Sequence, residues 1–337
     1  MSGAPQTTDE LDARLSEPGD AVVAALAECP GDIVVLGAGG KMGPTLARMA
    51  ARAAPDRRVT AVSRFSSEGA EQALTAAGVE TRRCDLLNAD EVATLPDAAN
   101  VIFMAGQKFG ATDAPERTWA LNVGVPEICA ARYASSRIVA FSTGNVYPLV
   151  PIEGGGARET DATGPVGAYA ESCRAREQVF EAAARRGTRV AIVRLNYAVA
   201  LTYGVLTDLA VRIASGTPIA LAMGYVNIIW QGDANRAAIE LLAHASSPAR
   251  IVNVTGAEPL SVRALAVELG KRLGREPMFS GTESPDALLG DSSLMRTLIA
   301  PPAVSVATML EWTGDWVAAG QPLLGKPTMF DVRDGKF

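Results

Sequence analysis

Residues 34–43 read VVLGAGGKMG, and this stretch decides the fold. An apolar run leads into it, Gly37, Gly40 and Gly43 stand in a G-x-x-G-x-x-G spacing, and a helical pattern follows. A continuous apolar run closed by glycine is what a strand buried on both faces requires. Glycine at those positions permits a tight turn and lets backbone N–H groups approach a pyrophosphate. The helix behind the turn then aims its partly positive N-terminus at the same place. The alternative is a glycine turn with no ligand, but the strand–turn–helix context favours dinucleotide binding.

The alternation continues outward. RVTAVS (58–63), VETRRCD (79–85), NVIFMAG (100–106), RIVAFSTG (137–144) and TRVAIVRLN (188–196) read as further strands, with helices predicted over 66–78, 115–131 and 168–186. Strands alternating with helices predict an α/β fold, a Rossmann-type doubly wound parallel sheet. Residues 1–31 read as an N-terminal helical extension, with a helix over 20–28 covering the sheet edge. Residues 32–198 form the expected dinucleotide-binding domain. Residues 199–337 form a smaller mixed substrate-binding region and C-terminal tail, with helices over 206–215 and 233–245, a strand over 249–256 and a helix capped by Ser261. The final stretch, 325–337, is expected to be a surface tail, a dimer contact or a pocket lid, in that order.

Composition removes several chemistries. The 337 residues carry a net charge of −6 and one histidine, His244, so no multi-histidine metal site exists. The four cysteines, Cys29, Cys84, Cys129 and Cys173, are far apart, which argues against structural zinc and a disulfide framework and fits a reducing cytoplasm. No basic excess is present to meet nucleic-acid phosphates. No apolar run is long enough to span a bilayer, and the polar, acidic first residues do not read as a secretory leader. Catalysis is therefore expected to use neither histidine nor a bound metal.

The end of the second strand selects the cofactor. An NAD-preferring site usually carries an acid there, which bonds the ribose hydroxyls. This chain has Ser63 and Arg64. Arg64 can pair with a 2′-phosphate through two hydrogen bonds, and Lys41 in the glycine turn is expected to add a second positive charge. NADP(H) is thus preferred over NAD(H), the alternative being that Arg64 is a solvated surface charge.

Further motifs accumulate: Asp85-Leu86 after the third strand, Met104-Ala105-Gly106 after the fourth, Asn122-Val123 on the following helix, FSTGNVY (141–147), then Glu159, Pro165 and Tyr169. With them, from about Asp32 to Leu298, the chain resembles the extended short-chain dehydrogenase/reductase family of NAD(P)-dependent sugar epimerases, dehydratases and reductases. The resemblance implies cofactor contacts from Gly37, Gly40, Lys41, Met42, Gly43, Ser63, Arg64, Asp85, Leu86, Met104, Ala105, Gly106 and Asn122, and from Tyr169 and Cys173 on their helix. It places Thr143 on the family's catalytic Ser/Thr position and Tyr169 on its acid/base. It also suggests that Trp230 and Gln231 line the substrate pocket, core packing being an equal alternative for the tryptophan.

The chain departs from the family at one position. The family carries Tyr-x-x-x-Lys, but YAESCRARE puts Cys173 where the lysine belongs. A free phenol has a pKa of about 10, and a nearby ammonium lowers it. A neutral thiol does not. Three readings stand: Lys108, in the loop after the fourth strand, supplies the missing cation; Tyr169 serves only as a neutral proton donor, which suits reduction; or catalysis is lost and the protein is an NADP(H)-binding regulator or sensor. Arg174 is expected to point off the Tyr169 face. The leading reading is an NADP-dependent oxidoreductase or epimerase acting on a secondary alcohol or ketone of a small sugar-like or polyol substrate. A homodimer stays open. Tyr169 has a structural alternative as a buried phenol, and Cys173 one as an apolar filler.

Overall fold

The computed structural model describes residues 3–66 and 69–336. Seven strands make one sheet: β1 (Ile33–Leu36), β2 (Val59–Ser63), β3 (Glu80–Arg83), β4 (Asn100–Phe103), β5 (Arg137–Thr143), β6 (Arg189–Leu195) and β7 (Arg250–Val254). Their order is β3-β2-β1-β4-β5-β6-β7, every neighbouring pair is parallel, and Val35 sits opposite both Ala61 and Ile102. The chain starts at β1, runs to one edge, and returns to β4 on the other side of β1. That reversal opens a crevice beyond the carboxyl ends of β1 and β4, where ligands bind in doubly wound sheets.

All four residues of β1 are buried. Ile33 and Val35 face one apolar layer, shared with Leu46 and Met49 of the helix Gly43–Ala53. Val34 and Leu36 face the opposite layer, shared with Phe180 of the long helix Gly167–Arg185. Alternating side chains of a strand covered on both faces read as one unbroken apolar run. A second core collects Trp230, Trp312, Trp316 and Phe330 with the helices Val205–Ser215, Val262–Leu273 and Val306–Ala318.

Several expectations are corrected. The helix Asp20–Glu28 forms but packs on the helices Gly43–Ala53 and Gln231–Glu240, not on the sheet edge, because Val22 and Leu26 complete the apolar layer beneath them. Three capped helices were not predicted: Thr8–Leu15, whose cap Thr7 accepts from the Glu10 N–H, Ala89–Ala93, capped by Asn88, and Val306–Ala318, capped by Ser305. Of the helix expected over 66–78, Ala70–Ala76 is helical, while Ser67 and Glu68 lie outside the described residues, as do residues 1–2 and 337 at the two ends. The helix expected over 115–131 is interrupted by a π-turn, Ala120–Gly124, which carries Asn122. The last stretch is no loose surface tail: it is folded onto the body as a strap, with Phe330 only 1% exposed. Arg212 pairs with Asp331 and Arg333 with Asp286 along it.

A buried ion pair joins the long helix to the sheet. The Arg194 guanidinium on β6 donates through Nε and Nη2 to both oxygens of Glu177, at 2.9 and 2.8 Å. Ser142 of β5 donates to the same carboxylate, and Arg194 Nη1 donates to the Tyr147 hydroxyl, which donates in turn to Asn253 of β7. Removing one partner of a buried pair strands the other charge. Glu177→Ala is therefore expected to lower the unfolding free energy by about 3–5 kcal/mol. Joint replacement, Glu177→Leu with Arg194→Met, is expected to cost less than Glu177→Ala in the same denaturant titration.

Candidate active site

The glycine turn is built from close contacts. Gly37 has a positive φ of +84°, and a Cβ there would lie 2.6 Å from the Ala105 nitrogen. A Cβ on Gly43 would overlap the Ala38 backbone, and one on Gly39 would overlap the Ser63 hydroxyl. A Cβ on Gly40 would meet only the Gly37 carbonyl, at 3.5 Å. The turn is therefore closed by Gly37, Gly39 and Gly43, while Gly40 faces open space ahead of the helix Gly43–Ala53. This arrangement fits a pyrophosphate. At the end of β2, Arg64 is exposed and forms no ion pair among the described residues, and no carboxylate takes its place. Asp85 is half-buried, with its carboxylate accepting from the Leu87 N–H, and Leu86 is buried beside it.

The loop after β4 is held from below. Asn122 is fully buried; its Oδ1 accepts from the Gln107 N–H, and its Nδ2 donates to the Gln107 carbonyl and the Ser172 hydroxyl. Its amide is thus saturated, and it positions the Met104–Ala105–Gly106 loop from below where a direct cofactor contact was expected. The π-turn that carries it widens the helix locally, as such turns do at functional sites.

Tyr169 and Thr143 are brought together as expected: the Tyr169 hydroxyl shares hydrogen bonds with Thr143 and with Cys173. Thr143 Oγ1 also accepts from the Asn145 N–H. Burial and the Cys173 sulfur drive the Tyr169 pKa well above its ordinary value, so the phenol is held neutral. Cys173 is fully buried against Tyr169, its own thiol also pushed up by burial.

Two cations surround this pair. Lys108 lies with its ammonium 5.9 Å from the Tyr169 ring centre and donates to the Thr328 carbonyl of the strap at 2.9 Å. Arg176, which sequence reasoning missed, is 6% exposed and donates to the Asn122 and Phe141 carbonyls and to Asn122 Oδ1. Its neighbour Glu177 is committed to Arg194 and Arg174. A Cβ on Gly106 would overlap the Arg176 guanidinium, so this buried charge sits directly under the loop. It opposes the rise of the Tyr169 pKa. The signal was available: residue 176 follows 169 by seven, two helical turns along the same face. Arg174 lies off that face, paired with Glu181.

Lys41 turns away from the Arg64 side. Although the residue is exposed along the loop, its ammonium is enclosed, donating to the Ala198 carbonyl at 3.1 Å and lying 3.9 Å over the Tyr203 ring. The second positive charge beside Arg64 is therefore not supplied by Lys41. Desolvation, then the neighbouring Lys108 ammonium, push its pKa down to about 7. Met42, Lys41, Lys108, Thr143, Tyr169 and the strap residue Thr328 are among the residues lining one cavity of about 170 Å³. Two non-glycine residues near it have positive φ, Tyr197 (+36°), which lines the cavity, and Met329 (+59°), which follows the lining residue Thr328 on the strap. Trp230 and Gln231 lie elsewhere: Trp230 packs edge-on against Trp312 in the second core, and Gln231 donates to Thr45. Glu159 is a structural anchor, accepting from the Asn253 N–H on β7.

The comparisons agree on the fold. No protein-family model matches the chain, and a search of curated proteins finds no match. Solved structures do match. The UDP-Glc/GlcNAc 4-epimerase of Campylobacter jejuni superposes with a TM-score of 0.71 at 18% identity, covering 86% of this chain and 99% of that one. A UDP-glucuronic acid 4-epimerase of Bacillus cereus in complex with NAD gives 0.71 at 18% identity, covering 85% and 96%. The UDP-glucose 4-epimerase of Thermus thermophilus, also with NAD, gives 0.70 at 20% identity, covering 84% and 98%. The chain has the fold of these UDP-sugar 4-epimerases. No helix among the described residues is long and apolar enough to cross a membrane.

Lys41 generates a test. With its pKa pushed down to about 7, far more of its amine is neutral at pH 7 than of an ordinary lysine, and a neutral amine is the nucleophile. An acylating reagent in limiting amount at pH 7 is expected to modify Lys41 ahead of the ion-paired surface lysines Lys271 and Lys336, as read by peptide mass spectrometry.

Proposed function

We propose that this protein is an NADP(H)-dependent oxidoreductase that moves a hydride to or from a secondary alcohol or ketone of a small sugar-like substrate, working best as a reductase. One observation carries the reading: a neutral Tyr169 hydroxyl bonded to Thr143 at the wall of a cavity beside the glycine turn. The neighbouring epimerases of known structure carry NAD, which supports a nicotinamide dinucleotide here. The Gly37–Gly43 turn, the loop held by Asn122 and exposed Arg64 are the groups that would hold it.

A nicotinamide dinucleotide, when bound, would supply the hydride for the carbonyl carbon or take it in reverse. Thr143 holds the substrate oxygen, and Tyr169 donates its hydroxyl proton to that oxygen as the carbon receives the hydride. The hydride and that proton together turn C=O into CH–OH, leaving a phenolate on Tyr169. Arg176 and Lys108 stabilise that phenolate, sharing the electrostatic part of the motif lysine. A general acid needs to be protonated, so the high pKa of Tyr169 suits reduction more than oxidation. An epimerase would run both directions on one carbon and would need Tyr169 as base in half of its cycle. The cavity of about 170 Å³, with Thr328 of the strap in its wall, supports a small substrate over a nucleotide sugar. A cytoplasmic location belongs to the same reading, since all four cysteines are free.

Tyr169→Phe is expected to lower kcat by about 10²–10⁴-fold, the usual worth of a general acid, with NADPH affinity retained in a fluorescence titration. Turnover undiminished in that variant removes Tyr169 from the chemistry. Tight NADPH binding with no turnover of any alcohol or ketone would establish the regulator instead. For the cofactor, Arg64→Ala is expected to weaken NADPH binding by about tenfold or more while leaving NADH binding within a factor of about two, since only the 2′-phosphate meets that guanidinium.

A further inference from the structure

Two of the five lysines in this chain turn their ammonium groups toward one cavity of about 170 Å³. Lys41 comes from the glycine turn and Lys108 from the loop after β4, so two independent segments deliver like charges to one place. Each ammonium donates to a backbone carbonyl, Ala198 for Lys41 and Thr328 for Lys108. Burial makes each amine resist its charge, and the Lys108 ammonium adds to this at Lys41. Crowding like charges beside a cleft is costly unless an anion enters it.

A second observation points the same way. Asn196, at the end of β6, lines the cavity and is 4% exposed, yet its Nδ2 has no hydrogen-bond partner. A buried amide donor without an acceptor is an unmet requirement that a ligand oxygen satisfies. The local charge then bears on the kind of ligand. Asp208 acts on both lysines, and its Oδ2 accepts from the amide and hydroxyl of Thr328. The nearby strap carboxylate Asp331 is paired with Arg212. Two lysine amines facing one carboxylate favour an anion in the cavity, and a carboxylate is the small organic anion that fits beside a reacting hydroxyl or carbonyl.

We infer that the cavity takes a small hydroxy acid or keto acid, its carboxylate seated between the Lys41 and Lys108 ammonium groups and within reach of the Asn196 amide. The reacting end rests on the oxidoreductase reading above, with the hydroxyl or carbonyl oxygen at Thr143 and Tyr169. The carboxylate seat rests on the lysine pair and Asn196. As the substrate enters, its carboxylate separates the two ammonium groups electrostatically and keeps both protonated. The strap contributes Thr328 to the wall, so the site is complete only with the C-terminal segment in place.

The test uses the full chain and a panel of four- to six-carbon sugar acids and keto acids, each with its methyl ester, its neutral parent sugar or ketone, and the sugar phosphate of equal length. Two readouts are taken: NADPH turnover, and protection of Lys41 from acylation, which needs no catalysis. The expected result is a kcat/KM about 100-fold higher for at least one acid than for its neutral counterparts, with the same acid slowing Lys41 acylation at least about tenfold. Lys41→Met and Lys108→Met are expected each to raise KM for that acid about tenfold or more, while Lys41→Arg keeps most of the preference. If an acid protects Lys41 but nothing in the panel is turned over, the carboxylate seat stands and the oxidoreductase reading falls. If neutral compounds are turned over as well as acids and no acid protects Lys41, the seat falls and that reading stands. Protection by the sugar phosphates alone also overturns the proposal.

Discussion

The Glu177–Arg194 pair is the contact on which the site geometry depends. It lies between the long helix and β6, is sealed from solvent, and reaches Ser142 on β5 and, through Tyr147, Asn253 on β7. Tyr169 is two turns up the helix from Glu177, and Thr143 is the next residue after Ser142. One two-pronged ion pair therefore sets the helix against the strand end and brings the phenol to the threonine hydroxyl. Desolvating both charges is costly, and replacing such pairs with apolar residues often costs little stability. Its contribution here is a fixed orientation among four elements that apolar packing alone would leave free to slide.

Charge at this site has been redistributed. A thiol at residue 173 cannot attract a phenolate, and it lies close enough to disfavour one. Arg176 and Lys108 carry positive charge nearby by different routes, one buried from below and the other brought by a loop. Arg176 also organises the π-turn residue Asn122, and through it the loop after β4. Its substitution would therefore disturb position and electrostatics together. The result is a tyrosine that holds its proton more tightly than a lysine-assisted one.

The cleft has an unusual wall. Residues 325–336 cross it as a strap tied down by ion pairs and by Thr328 hydrogen bonds to Asp208, with Phe330 inserted into the second core. Positive φ at Tyr197 and Met329 marks where the chain is held in a shape that side chains rarely adopt, and such strain persists only where the surroundings impose it. The strap narrows the cleft and brings the Thr328 carbonyl to Lys108, so segments more than two hundred residues apart share one site.

Much of this was legible in the chain. The Tyr169–Thr143 pair was expected from the family resemblance, whereas the buried strand and glycine turn at 33–43, the alternation that follows and the Ser261 cap follow from local rules: strand periodicity, the steric needs of a turn, and hydrogen bonding at a helix end. Those rules act within a few residues, so sequence states them. The direction of Lys41, the saturation of Asn122, the buried charge of Arg176, the unpartnered Asn196 amide and the strap were decided by the tertiary structure alone. Each of the contacts behind them depends on a partner from a distant segment: Ala198 for Lys41, Gln107 for Asn122, Phe141 for Arg176, Asp208 for Thr328. The chain by itself determined that it would build a dinucleotide-type sheet with a tyrosine at the end of its crevice. Which charges would face that tyrosine was decided only when the fold brought those segments together, because electrostatic contact depends on distance in space and not on separation along the chain.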